Sequence, residues 1–250
     1  MKKFMMVLLA MSIVCIMAVG GTMSYLTYTD YDVNTMVVGN VKIEQLEQMR
    51  DENGAFVELQ PQGQKLYPYI REMVLDNGWY DTAKNAMDKI VSVRNTGSEA
   101  AYVRTVFAFE MKKVVGTDGT VTWGNPVGID VILNVNGTID FGPTIYRYAD
   151  ETFGIDPANA EAAFVVGIYT YGEVAPGATS DFSLKQICLA STVGNEFSEA
   201  VGPEYEVLVL SQAVQTEGFA SANDALIEAF GELTAENAAS WFANVKEGNV

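Results

Sequence analysis

KIVSVRNTGSEAAYVRTVFAFE, residues 89–110, decides the fold class. Lys89–Arg94 alternates as a strand does, Asn95-Thr96-Gly97-Ser98 is rich in turn formers, and Ala101–Glu110 continues as a second strand. The stretch therefore reads as an antiparallel β-hairpin. Working outward, the same grammar recurs. Val114-Val115 and Thr120–Trp123 flank Thr117-Asp118-Gly119, and Gly128–Val135 and Thr138–Ile145 flank Asn136-Gly137, giving two more expected hairpins. Ala163–Tyr171 is a strand ended by Gly172, and Val174-Ala175-Pro176-Gly177 turns into Ser180–Ala190. Glu204–Gln215 is the last long strand, and Val207–Leu210 at its centre is apolar on both faces, which predicts an interior position.

Upstream of the hairpin, Thr35–Val38 and Val41–Leu46 are runs rich in β-branched residues, broken at Gly39-Asn40 as at a bend or bulge. Asn53-Gly54 leads into Phe56–Leu59, Gln60-Pro61-Gln62-Gly63 is a further turn, and Leu66–Ile70 reads as a strand. Two stretches lose the period and read as insertions. In residues 71–88, Trp79 and Tyr80 either anchor the insertion on the domain or bind something; in residues 144–162, Pro157–Ala163 is an expected short helix. The tail, 221–246, changes to a helical period. Ser221 with Asp224 caps one expected helix and Thr234 a second. Leu226, Phe230, Leu233, Trp241, Phe242 and Val245 supply the apolar stripes that would pack them on the sheets. The fold expected is all-β, an antiparallel β-sandwich with loop insertions and one or two short C-terminal helices.

Composition supports a packed globule, because 49% of the residues are apolar and 19% are charged. Histidine is absent altogether. That excludes Ser-His-Asp and Cys-His catalysis and His-ligated zinc, since each uses imidazole as base or ligand. Asp30-x-Asp32-x-Asn34 opens like a calcium loop, but Thr35 stands where glycine is needed and Val41 where the closing acid is needed, so no metal or other cofactor is expected. Arg104 is either an anion binder or a strand arginine that is solvated or paired with an acid. Asn136-Gly137-Thr138 fits a glycosylation sequon, yet a tight turn explains the same residues.

The N-terminus directs the chain outward. Lys2 and Lys3 precede an apolar run from Phe4 to Val19, a Gly20-Gly21-Thr22 hinge and a small residue at Ser24, the pattern of a secretory signal (1–24). Residues 25–250 would then form a single domain. Ala18-Val19-Gly20 would also satisfy the small-residue rule, placing the cut after Gly20, and a retained anchor is the alternative to cleavage. Lys2 and Lys3 leave with the leader, taking the net charge from −17 to −19, a field that repels nucleic acid and anionic membrane. Cys15 leaves too, so Cys188, inside the apolar run Leu184–Ala190, is expected to be a buried thiol with no intrachain partner.

Gly20-Gly21-Thr22-Met23-Ser24-Tyr25-Leu26-Thr27, followed by Asp30, Asn34-Thr35 and Val38-Gly39-Asn40-Val41-Lys42-Ile43, resembles the leader and first strand of the TasA/camelysin family of Gram-positive bacteria. Val91-x-Val93-x-Asn95-Thr96-Gly97-Ser98-x-Ala100-x-Tyr102-Val103-Arg104 and Ser183-Leu184-Lys185-Gln186 are similar to later segments of the same family. The resemblance implies cleavage between Ser24 and Tyr25 by a SipW-type signal peptidase, a jelly-roll-like sandwich, and self-association into biofilm matrix fibres. It also carries a metallopeptidase activity, assigned to camelysin-like members, which the absence of histidine disfavours. The function expected is a secreted, non-enzymatic subunit of extracellular matrix or surface fibres. Tyr25–Met36, with Leu26 and Val33 as its apolar members, would act as a donor strand after cleavage. The alternative is a monomeric surface or adhesive module that folds the same strand onto itself.

Overall fold

The computed structural model describes residues 26–29, 34–38, 41–60, 65–66, 74–82, 86–126, 131–149, 152–189 and 204–243. Two β-sheets pack face to face, and two short helices cover the outer face of the larger one. The large sheet is built on β9 (Ala101–Val115), which lies between β14 (Ala162–Val174) and β16 (Glu204–Gln215), antiparallel to both. Beyond β14 come β12 (Asp140–Arg147) and β13 (Phe153–Gly154), and β10 (Val121–Pro126) pairs with the end of β9. Beyond β16 lie β1 (Leu26–Thr29), β2 (Asn34–Val38) and β5 (Lys65–Leu66). The small sheet runs β11 (Val131–Asn134), β15 (Leu184–Leu189), β8 (Met87–Asn95), β3 (Ile43–Arg50), β4 (Phe56–Glu58). A separate hairpin joins β6 (Leu75–Asp76) to β7 (Trp79–Tyr80).

The sandwich is antiparallel throughout its centre, and strand parity explains its layers. Phe107, Phe109, Val165, Val207 and Val209 point inward to meet Met87, Val91, Leu184 and Ile187 of the small sheet. Their neighbours Val106, Ala108, Phe164, Val166, Leu208 and Leu210 point outward and are buried against Trp241 and Phe242. The doubly apolar centre of β16 is thus interior on both sides, as its sequence predicts. The covering helices are α1 (Ala222–Phe230) and α2 (Ala235–Ala243). Ser221 caps α1 by accepting from the Asp224 amide at 3.1 Å, and Thr234 caps α2 by accepting from the Asn237 amide at 3.1 Å. Val245 lies outside the described residues.

Three expectations are corrected. Residues 89–110 are not a hairpin: β8 belongs to the small sheet and β9 to the large one, so Asn95-Thr96-Gly97-Ser98 is an arch across the sandwich. The strands either side of Asn136-Gly137 are likewise in different sheets, β11 in the small and β12 in the large. Pro157–Ala163 forms no helix; a turn closes from the Ala160 amide to the Pro157 carbonyl at 3.3 Å, and β14 begins at Ala162. The hairpins over Asn53-Gly54 and Thr117-Asp118-Gly119 are as expected.

Neither insertion is an appendage. In the 144–162 stretch, the end of β12 and β13 extend the large sheet, and Phe153 packs against Phe164 and Phe242. In the 71–88 stretch, Asn77 and Gly78, with φ of 49° and 79°, make the tight turn between β6 and β7. That turn sets Trp79 beneath Arg50, whose guanidinium lies 4.4 Å from the ring centroid. Arg50 in turn grips Asp88 through two bonds of 2.7 and 2.8 Å, and this bonding holds its guanidinium above its ordinary pKa. Gln186 closes the station: it accepts from the Tyr80 amide at 2.6 Å and donates to the Tyr80 carbonyl at 2.9 Å. Trp79 and Tyr80 are therefore anchors.

Candidate functional site

The strand that the N-terminal segment meets is β16. On one side β16 pairs with β9 over Val207–Gln215. Its other edge would offer a long row of unpaired backbone groups from a strand buried on both faces, a costly arrangement without a partner. The N-terminal strands occupy that edge, and they run parallel to it. Thr27, Tyr28 and Thr29 of β1 stand opposite Glu204, Tyr205 and Glu206, while Asn34 through Val38 of β2 stand opposite Leu210 through Val214. From Thr29 to Asn34 is one residue more than from Glu206 to Leu210, so β1 and β2 meet the same strand in registers that differ by one residue. On its far side β1 pairs antiparallel with β5, Leu26 opposite Leu66 and Thr27 opposite Lys65.

Of the residues singled out from the sequence, Ser24, Tyr25 and Val33 lie outside the described residues. Leu26 opens β1, and Met36 stands in the middle of β2 opposite Gln212. The paired span reaches Val38, two residues beyond the expected end of the donor segment at Met36.

Inside the sandwich a row of polar side chains crosses between the sheets. The large sheet contributes Thr105, Tyr171 and Ser211, and the small sheet side contributes Gln45, Glu47, Lys89 and Ser183. Tyr171 is the extra residue where β14 slips register between Thr170 and Gly172, and the bulge turns its hydroxyl inward. That hydroxyl donates to Ser183 Oγ at 2.7 Å and lies 2.8 Å from Thr105 Oγ1. Burial pushes it up to about 12, against the smaller opposing pull of those hydroxyl contacts. Thr105 Oγ1 is 3.2 Å from Ser211 Oγ, which donates to Gln45 Oε1 at 2.6 Å. Gln45 Nε2 donates to Glu47 Oε1 at 2.7 Å, and Lys89 Nζ bonds Glu47 Oε2. Lys89 is 0% exposed and Gln45 4%.

None of these residues stands out as a motif. Parity was the available signal: Lys89 shares its face with Val91 and Val93, and Gln45 and Glu47 share theirs with Ile43, so all three had to point inward.

Arg104 has neither expected environment. It is 4% exposed beneath the helices, where its Nε donates to Gln212 Oε1 at 2.6 Å and its Nη2 to the Gly231 carbonyl at 3.2 Å. Its guanidinium lies 4.9 Å from the Trp241 ring, and burial lowers its pKa to about 10. It joins the sheet to the end of α1. Cys188 is buried at 1% exposure. Among the described residues no three Asp, Glu or Cys side chains gather as a metal site, and no helix is long and apolar enough to cross a membrane. Compared with known proteins, the chain matches no family model, no curated protein and no solved structure.

Proposed function

We propose that the protein is a secreted structural subunit of extracellular matrix or surface fibres, joined by its N-terminal strand. In this reading it is not an enzyme. A SipW-type signal peptidase cuts between Ser24 and Tyr25, and the freed segment pairs along β16 of a neighbouring molecule. The observation that carries the reading is the β16 edge: a strand buried on both faces whose outer partner comes from the end of the chain. Backbone hydrogen bonds supply the affinity of such an addition, and alternate side-chain positions its specificity. The resemblance of residues 18–46 to the TasA/camelysin leader and first strand points the same way. The net charge of the cleaved chain suits a life outside the cell, free of nucleic acid and of the membrane.

A monomeric surface or adhesive module is the second reading, favoured by the pairing of β1 and β2 with β16 of their own chain. Deleting residues 25–34 from the processed protein separates the two. Loss of polymers in electron micrographs, with the domain still folded, supports strand addition; fibres undiminished by the deletion exclude it. A processed protein that stays monomeric across a wide concentration range in size analysis establishes the second reading.

A further inference from the structure

The cluster of Lys89, Glu47, Gln45 and Ser211 holds, in one water-excluded place, every group needed to join a lysine to a carboxamide. Lys89 supplies an amine, and Glu47 bridges that amine and the Gln45 amide nitrogen, one carboxylate oxygen to each. A carboxylate so placed is a proton shuttle between nucleophile and leaving group. Ser211 donates at 2.6 Å to the Gln45 carbonyl oxygen, where negative charge would develop during attack. Lys89 and Ser211 are 0% exposed and Glu47 9%. In such surroundings both members of an ion pair carry a heavy desolvation cost, which a proton transfer between them removes.

The geometry points to an intramolecular amide cross-link between Lys89 and Gln45, which would tie β8 to β3. Lys89 first passes a proton to Glu47 and becomes a neutral amine. Its Nζ then attacks Gln45 Cδ, forming the Nζ–Cδ bond while the carbonyl π pair moves onto Oε1 against the Ser211 hydroxyl. Glu47 gives its proton to Nε2 and takes one from Nζ. The Cδ–Nε2 bond breaks, and ammonia leaves. Amine and carboxamide become a secondary amide plus ammonia, with no oxidation or reduction, and Glu47 is left as a neutral acid. Ammonium and carboxylate have both gone from the core. Attack requires the amine within about 3–3.5 Å of the carbonyl carbon.

The test is the intact mass of the secreted full chain, denatured, with its N-terminus fixed by sequencing. The expected mass falls short of the sequence by one ammonia, and digestion yields a branched peptide joining Lys89 to Gln45. The branch distinguishes this loss from ammonia released at an Asn-Gly turn such as Asn136-Gly137. Glu47→Gln, or Ser211→Ala should the first variant fail to fold, is expected to raise the uncross-linked fraction. A chain of full mass overturns the proposal. So does a water loss with Lys89 joined to Glu47, which would make Glu47 the reactant and not the shuttle.

Discussion

Along β9 the side chains alternate between two interiors that handle polar groups differently. Outward, Val106 and Ala108 meet an apolar layer under the helices, and the one buried cation described there, Arg104, rests on Trp241 with neutral oxygen acceptors around it. Inward, Phe107 and Phe109 sit beside a polar row in which Tyr171, Thr105, Ser211, Gln45, Glu47 and Lys89 bond one another in that order. The difference follows from what must be matched. A helix layer lends a single peptide carbonyl at its end, whereas two facing sheets bring side chains together from both directions. A delocalised guanidinium tolerates stacking on a ring; a lysine ammonium needs its own carboxylate.

The most severe way to break that contrast is Lys89→Met. It takes away the buried amine that Glu47 bonds, and with it the proposed tie between β8 and β3, and is expected to cost at least about 3–5 kcal/mol in urea denaturation. Next in size is the alkaline behaviour of Tyr171. Its folded pKa of about 12 stands above the ordinary value near 10, so the unfolded chain gives up this proton first as pH rises. The contribution is fully present below pH 10 and is lost between about 10 and 12, amounting to about 2–3 kcal/mol. Tyr171→Phe is expected to lose less stability than wild type between pH 9 and about 12, measured as the difference between the two proteins. The comparison by difference matters because Arg104 acts oppositely: its folded pKa of about 10 lies below the unfolded 12.5, so stability rises through that window.

Asn95→Ala sharpens the contrast at the arch that passes from the small sheet to the large one. The Asn95 amide donates to the Glu99 and Val174 carbonyls at 2.8 and 2.9 Å, and its oxygen accepts from the Gly97 amide at 2.9 Å. Removing it strands the buried Val174 carbonyl and two partly buried backbone groups, and is expected to cost about 1–3 kcal/mol. Smallest is Arg104→Met. Two hydrogen bonds are lost, but a charge with no acid beside it no longer has to be desolvated, so urea denaturation should show a change within about 1 kcal/mol. A loss as large as that of Lys89→Met would show that the two interiors do not differ as argued.

What could be read from the chain, and what could not, divides along the same lines. Periodicity located β8, β9, β14 and β16, and it located both helices, because Ser221 and Thr234 are local capping signals. It did not reveal which strands pair. Val91-x-Val93 and Val103-x-Thr105 alternate identically whether the turn between them is a hairpin or an arch; what holds the arch are distant partners, the buried Asn95 side chain on Val174 and the Thr96 and Gly97 amides on the Lys42 carbonyl. Asn77-Gly78 carried the hairpin signal of the 71–88 stretch, but with flanking strands of two residues each there is no period to notice. The polar row went unread for a different reason: parity turns Gln45, Glu47 and Lys89 inward one by one, but the members lie far apart in sequence and no local pattern joins them. The edge of β16 was legible in half. The doubly apolar strand marked an interior position, but nothing in the sequence specified which segment would lie beside it.

The parallel sense of β1 and β2 against β16 has one more consequence. In the proposed assembly, a neighbour's strand laid along β16 makes every junction a donor meeting a different surface, never a like patch meeting its twin. Unless two copies exchange strands reciprocally, such contacts propagate a direction. A filament built that way would have unlike tips, one showing an unfilled β16 and the other an unengaged leading segment. Growth at the two tips would then proceed by different steps, a search by a tethered strand at one and capture onto a preformed edge at the other.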